Sequence, residues 1–146
     1  MIAFPKPKKK QKVKKPIKRI RKTPLKTLER KAWDVFARWV KRRDAKLSGS
    51  IALDWLKCYT CRKDILVTES HAGHFIHNRN IVRFNEKVVH GQCNKCNTYL
   101  RGNLAEYTIH MIEDYGREEV SRLLSLKVQT HVFTREELEG IIKKYT

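Results

Sequence analysis

No stretch of this chain is long and apolar enough to cross a bilayer, and its first residues lack the apolar core of a secretory signal. These absences exclude a membrane span and predict a protein that stays in a reducing cytosol. Acidic residues are scarce: 15 Asp and Glu stand against 33 Lys and Arg, for a net charge of +18 over 146 residues. That deficit predicts a polyanionic partner, nucleic acid first. Apart from two short cysteine motifs there is no internal repeat, so the length makes one modest domain with extensions.

What is present is uneven. Residues 1–22, MIAFPKPKKKQKVKKPIKRIRK, hold eleven Lys or Arg and no acid, with Pro5, Pro7 and Pro16 among too few apolar residues to make a core. They are predicted to form a disordered basic arm. Its plain alternative is a solubilising tail or a targeting sequence, but the rest of the chain is basic too, which favours attachment to a DNA backbone.

The periodicity then predicts an amphipathic helix over residues 23–47, with Thr23 as N-cap and Pro24 at the first helical position. Leu25, Leu28, Ala32, Phe36, Trp39 and Val40 share one face, and Ser48-Gly49-Ser50 ends it. Trp33, Phe36 and Trp39 read as core packing. Residues 48–126 read as knuckle, strand, strand, knuckle and helix, with Ile65–Thr68 and the IVRF segment (81–84) extended. The helix begins near Asn94 to Asn97, is interrupted at Gly102, and resumes to Gly116; REEVSRLLSLK follows as a short helix. In residues 127–146, Thr134 to Glu137 forms a capping box for a last helix. The fold class is therefore α+β.

Two Cys-x-x-Cys pairs, Cys58/Cys61 and Cys93/Cys96, bracket this middle section. Four thiolates in two knuckles close a tetrahedral zinc site, which organises a fold and leaves no position for chemistry. No βαβ pattern surrounds either pair, which argues against a thioredoxin-like redox role. Four of the six histidines, His71, His74, His77 and His90, lie between the knuckles. His74 is the candidate general base, because neutral imidazole deprotonates water near pH 7. Asn97, next to a zinc ligand, offers a hard oxygen of the kind Mg2+ prefers, although it reads equally as a helix cap. A zinc that pins a His-bearing hairpin to an Asn-bearing helix is the layout of a metal-dependent nuclease.

The ordered set WDVFARWVKRRD, CYTC, HAGHFI, VHGQCNKCN, RGN and YGREEV resembles the phage NinG/Rap recombination endonucleases, a branch of the HNH or His-Me finger nucleases. The resemblance runs from about Pro24 to about Leu126. It implies a zinc-stabilised ββα-metal core with flanking helices, and cleavage of branched intermediates such as Holliday junctions and D-loops. It further implies structural Zn2+ on the four cysteines, His74 as base, and catalytic Mg2+ or Mn2+ on Asn97. An infected bacterial cytoplasm is the implied location, and phage or host recombination proteins are the implied partners. Symmetric cleavage of a four-way junction needs two active sites, which points to a homodimer. His90 and Asn103 also occupy motif positions.

Two departures from the family pattern stand out. Gly73 replaces the Asp or His that often precedes the base as a metal ligand, which leaves His71, Glu69 and His90 as candidates for that role. Val88 falls where an Asn usually orients the base, so Asn85, His90 or a backbone carbonyl must do so. For DNA, Arg79, Arg83 and Arg101 flank the catalytic candidates and suit bidentate phosphate contact. Lys41, Arg42 and Arg43, with Lys8, Lys9 and Lys10 of the arm, would add salt-sensitive affinity without sequence information. Each reads equally as part of a solvated basic face. The rival readings are a non-catalytic zinc module binding DNA or RNA, and an HNH nuclease acting on ordinary duplex.

Overall fold

A computed structural model describes residues 22–77 and 81–146. Residues 1–21 of the basic arm, with Lys8, Lys9 and Lys10, and Arg79 lie outside the described residues.

The first element, α1 (Leu25–Leu47), is amphipathic and ~34 Å long at the usual rise per residue. Leu28, Ala32, Phe36 and Val40, spaced by four, are buried along one face, with Asp44 and Ala45 below them. Leu25, expected on that face, is instead exposed. The start also differs from expectation. Pro24 takes an extended ψ of 143° and stands just outside the helix, its carbonyl accepting from Leu28 N–H, and no side chain caps the end. At the other end Ser48 closes the helix by donating its backbone N–H and its hydroxyl to Asp44 O.

Two antiparallel hairpins follow. Strands β1 (Trp55–Lys57) and β2 (Asp64–Leu66) hold the first knuckle in their turn. The expected strand over Ile65–Thr68 stops at Leu66, because Val67–Glu69 coil into a short 3-10 turn that Ser70 closes through its hydroxyl bond to Val67 O. Strands β3 (His71–His74) and β4 (Val89–Gln92) pair with Gly73 opposite His90 and His74 opposite Val89. The segment 81–84, expected to be extended, is a turn. Val82 and Phe84 insert into the core from it, and Asn85 N–H closes back on Val82 O.

After β4 the second knuckle leads into one π-type turn, Lys95–Tyr99. Gly102, at φ 91°, and Asn103, at φ 48°, then break the chain direction before α2 (Leu104–Tyr115). The interruption expected at Gly102 is thus real. Helix α3 (Arg117–Ser125) follows Gly116, and α4 (Arg135–Tyr145) starts at Thr134 with the complete capping box.

One core joins these parts. Phe36 and Val40 of α1, Phe75, Val88 and Val89 around the second hairpin, Tyr107 and Met111 of α2, Leu123 of α3 and Tyr145 of α4 form a single cluster. Burying each large apolar side chain contributes about 1.5–3 kcal/mol. The flanking segments 23–47 and 127–146 are therefore part of the body: α4 lies along α1, and Tyr145 packs its ring edge-on to Phe36 at 4.9 Å. Among the described residues no helix is long and apolar enough to cross a membrane.

Candidate functional site

Chain geometry brings the two knuckles together. Tyr59 N–H, inside the first, donates to Gly91 O on β4, and Cys93 N–H, opening the second, donates to Cys58 Sγ at 3.3 Å. The four sulfurs all lie within 4.8 Å of one another. Cys61 and Cys93 Sγ are 3.8 Å apart, which matches the roughly 3.8 Å edge that a tetrahedral zinc with bonds of about 2.3 Å would set. A disulfide, at about 2.05 Å, is excluded by the same distance. The four cysteines can thus hold a zinc ion.

The surrounding donors are those a thiolate cluster needs. Burial alone would raise the Cys58 thiol, but N–H groups of Cys61 and Cys93 and the Thr60 hydroxyl outweigh it and hold it at about 6. Cys61, by contrast, is pushed up to about 12 by burial and by the neighbouring thiols of Cys58 and Cys96. Four adjacent sulfurs cannot all ionise without a cation between them. Asn103 Nδ2 donates to Cys96 Sγ at 3.7 Å, which gives that motif residue a concrete task.

The other face of the same segment carries the candidate chemistry. His74, at the end of β3, is half-buried, and its ring stacks on Trp33 of α1 at 4.6 Å between centroids. Nε2 lies 3.1 Å from Arg83 O. A carbonyl can only accept, so Nε2 carries the proton and Nδ1 keeps its lone pair. Burial, reinforced by the charges of Arg83 and His77, lowers the His74 pKa to about 4. The imidazole is therefore neutral near pH 7.

Asn97 sits in the π-type turn, a geometry frequent at functional sites. Its Oδ1 lies 2.9 Å from where a Cβ on Gly73 would stand. The amide oxygen is thus against the residue preceding His74. The hairpin beneath is held by Tyr107 of α2, whose hydroxyl donates to Gly73 O at 3.0 Å.

Gln92, fully buried on β4, joins the two faces. Its Nε2 donates to Gly102 O at 2.8 Å and to Thr60 Oγ1 at 3.1 Å, and Thr60 in turn contacts Cys58 Sγ at 3.5 Å. Its Oε1 is buried with no hydrogen-bond partner among the described residues and stands 1.9 Å from the position of a Gly73 Cβ. An unpaired buried amide oxygen costs about 1–3 kcal/mol.

Several expected roles move elsewhere. His90 is 4% exposed and taken up on both nitrogens: Nδ1 accepts from Arg43, and Nε2 faces Lys87 O and the Tyr115 hydroxyl. Its ring stacks on Tyr59 at 3.8 Å, so it is free neither as a metal ligand nor to orient His74. Asn85 spends Oδ1 on Lys87 N–H within its own turn; of the three expected alternatives, it is a backbone carbonyl, that of Arg83, that meets His74. Arg43 turns inward, donating to Glu86 O, Val89 O and Asp44, so it is not available to DNA.

The remaining candidates keep open positions or partial ties. His71 and Glu69 are exposed, and among the described residues the four cysteines are the only converging group of three or more His, Cys, Asp or Glu ligand atoms. Arg83 is ion-paired with Glu29 and lies over the rings of Trp33 and Phe84. Lys41 reaches Val67 O and Ser70 O at the limit of hydrogen bonding, while Arg42 and Arg101 are exposed. Trp33, Gln92, Thr60 and Tyr107 were not legible as site residues; only the clustering of aromatics on α1 hinted at the first.

Together these features define an α+β protein in which a four-cysteine site backs onto a histidine-bearing hairpin. No solved structure matches the chain. The sequence model of the family described as Bacteriophage Lambda NinG protein matches residues 3–146, and the chain belongs to that family. It is 38% identical over 64 residues to Protein ninG of Escherichia phage lambda, an alignment covering 44% of this chain and 31% of that protein. Protein ninG of Salmonella phage P22 is 36% identical over 64 residues with the same coverage. The matched stretch spans about a third of the length of these curated relatives.

Proposed function

We propose that this chain is a zinc-stabilised, divalent-metal-dependent endonuclease of the HNH type that nicks branched DNA such as Holliday junctions and D-loops. The observation that carries the reading is the pose of His74: Nε2 is committed to Arg83 O, the ring is braced by Trp33, and Asn97 Oδ1 stands beside the preceding residue. Hairpin β3–β4 followed by the Asn97 turn and α2 supplies the strand, strand, helix order of a ββα-metal core.

In this reading His74 Nδ1 accepts the proton of a water as the water oxygen forms its bond to phosphorus and the bond to the leaving sugar oxygen breaks. Asn97 offers the hard oxygen that would hold Mg2+ or Mn2+, and such an ion, when bound, neutralises charge on the phosphate and leaving group. Arg101 and Arg42, both exposed, and Arg83, once exchanged from Glu29, are the phosphate contacts. Nothing in the sequence resembles a base-reading module, so DNA shape is the selected feature and a dimer the form that cuts both strands. Phage or host recombination proteins are the fitting partners.

The test is nicking of a synthetic four-way junction by zinc-loaded protein with Mg2+, compared with linear duplex and flap. His74→Ala should reduce the rate ~10²–10⁴-fold, the range for a general base, while zinc content and junction binding stay intact. Unchanged nicking by that variant would remove His74 from its role. Binding without cleavage by the unaltered chain, with any divalent ion, would favour a non-catalytic zinc module, and equal cutting of linear duplex would remove the branched-DNA preference.

A further inference from the structure

We propose that Gln92 Oε1 is the second protein oxygen of the catalytic divalent-cation site, standing in for the acidic side chain that Gly73 lacks. The inference rests on the nuclease reading above and goes beyond it in assigning a ligand.

Three observations carry it. Gly102 O can only accept, so the bond from Gln92 Nε2 fixes which end of the amide is which, and Oε1 must point the other way. That oxygen is buried, has no hydrogen-bond partner among the described residues, and lies near the same spot as Asn97 Oδ1: the two stand 1.9 Å and 2.9 Å from the place of a Gly73 Cβ. Two carbonyl-type oxygens set near one place repel one another, and a small hard cation would relieve that repulsion by accepting both.

The same geometry explains the glycine. Gly73 has no positive φ, so its backbone does not demand glycine. What excludes a side chain is Gln92, whose Oε1 occupies the space a Cβ would need. Residues 73 and 92 therefore form an exchangeable pair: a carboxylate from β3, or an amide reaching across from β4 with glycine opposite. Gln92 also runs through Thr60 to the Cys58 sulfur, so the oxygen is aimed from the zinc side of the fold.

The experiment measures Mn2+ binding by electron paramagnetic resonance and calorimetry on zinc-loaded full-length chain, with no turnover involved. Gln92→Leu should weaken Mn2+ at least ~10-fold, the loss typical even of outer partners, while keeping one zinc per chain. The double variant Gly73→Asp/Gln92→Ala should regain the affinity, and Gly73→Asp alone, which meets Gln92, should not. Should the double variant fail to fold, anomalous diffraction from Mn2+-soaked His74→Ala crystals decides: manganese bonded to both Gln92 Oε1 and Asn97 Oδ1 supports the assignment. Manganese on Asn97 with Gln92 out of bonding range, or unaltered affinity in Gln92→Leu, overturns it and leaves the nuclease reading standing. Unaltered chain that neither binds Mn2+ nor nicks DNA overturns both.

Discussion

Cys96 and Asn97 are neighbours in the chain, yet they belong to regions built on opposite principles. On the cysteine side every sulfur has company: backbone N–H groups, the Thr60 hydroxyl and the Asn103 amide all donate toward the cluster, and four ligands exhaust a tetrahedron. On the histidine side the donors are fewer and the acceptors are left over. Among the described residues Gln92 Oε1 has no partner, and His74 Nδ1 keeps its lone pair. The contrast teaches that one short segment can set one residue in a cluster of matched donors and the next beside acceptors left over.

The strongest way to break that contrast is to take the anchor away. Stripping zinc with a tight chelator should cost on the order of ten kcal/mol of folding free energy, the scale of small structural zinc sites, and replacing Cys96 with Ser, which leaves three thiolates, should cost part of it. Near-UV circular dichroism and thermal melts would read it, since Tyr59 lies within the first knuckle and packs its ring against Tyr107. A zinc-free chain that keeps its melting transition and its junction nicking would show the two regions to be independent.

How much of this was readable beforehand follows the kind of chemistry involved. The cysteine spacing predicts its cluster because ligand number and spacing are side-chain properties. The buried stripe of α1 and the Thr134 capping box are legible for the same reason. Which carbonyl meets His74 is not, because any residue could stand at position 83 and supply it. Arg43 illustrates a second limit. In the run Lys41-Arg42-Arg43 the sequence shows three equal charges, and only helix rotation decides that Arg43 faces Val89 O while Arg42 faces water. Strand β4 shows a third: Val89, His90, Gly91 and Gln92 are all buried, so no alternation marks either Gln92 or its direction.

A smaller effect tests the histidine side alone. With its pKa lowered from 6.5 to about 4, His74 stays neutral in the folded chain where the unfolded chain already binds a proton. The unfolded state then holds more protons between those two values, so this contribution to stability is complete above about 6.5 and is lost as pH falls toward 4. Comparing wild type with His74→Ala at pH 7 and pH 5 cancels the shared acid sensitivity of the cysteine site. Wild type should lose more stability than the variant over that interval, and the His74 ring resonances should titrate near 4. A midpoint near 6.5 would mean the ring is solvated rather than braced between Trp33 and Arg83.

The smallest expected effect lies at the seam between the regions. Asn103 combines two features: a left-handed backbone at φ 48° and a side-chain N–H directed at Cys96 Sγ. Asn tolerates that backbone better than most residues, and glycine tolerates it freely. Asn103→Gly therefore keeps the turn and deletes only the donor, whereas Asn103→Ala strains the turn as well. Outer partners of metal ligands are worth about 10–100-fold in affinity, and this bond is long at 3.7 Å, so Asn103→Gly should fall at the low end. Competition against a zinc-binding dye would measure it, with Asn103→Ala losing more than Asn103→Gly. Equal losses in the two variants would assign the whole effect to the side chain; no loss in the glycine variant would make Asn103 a backbone residue, and the cysteine site would then be complete without it.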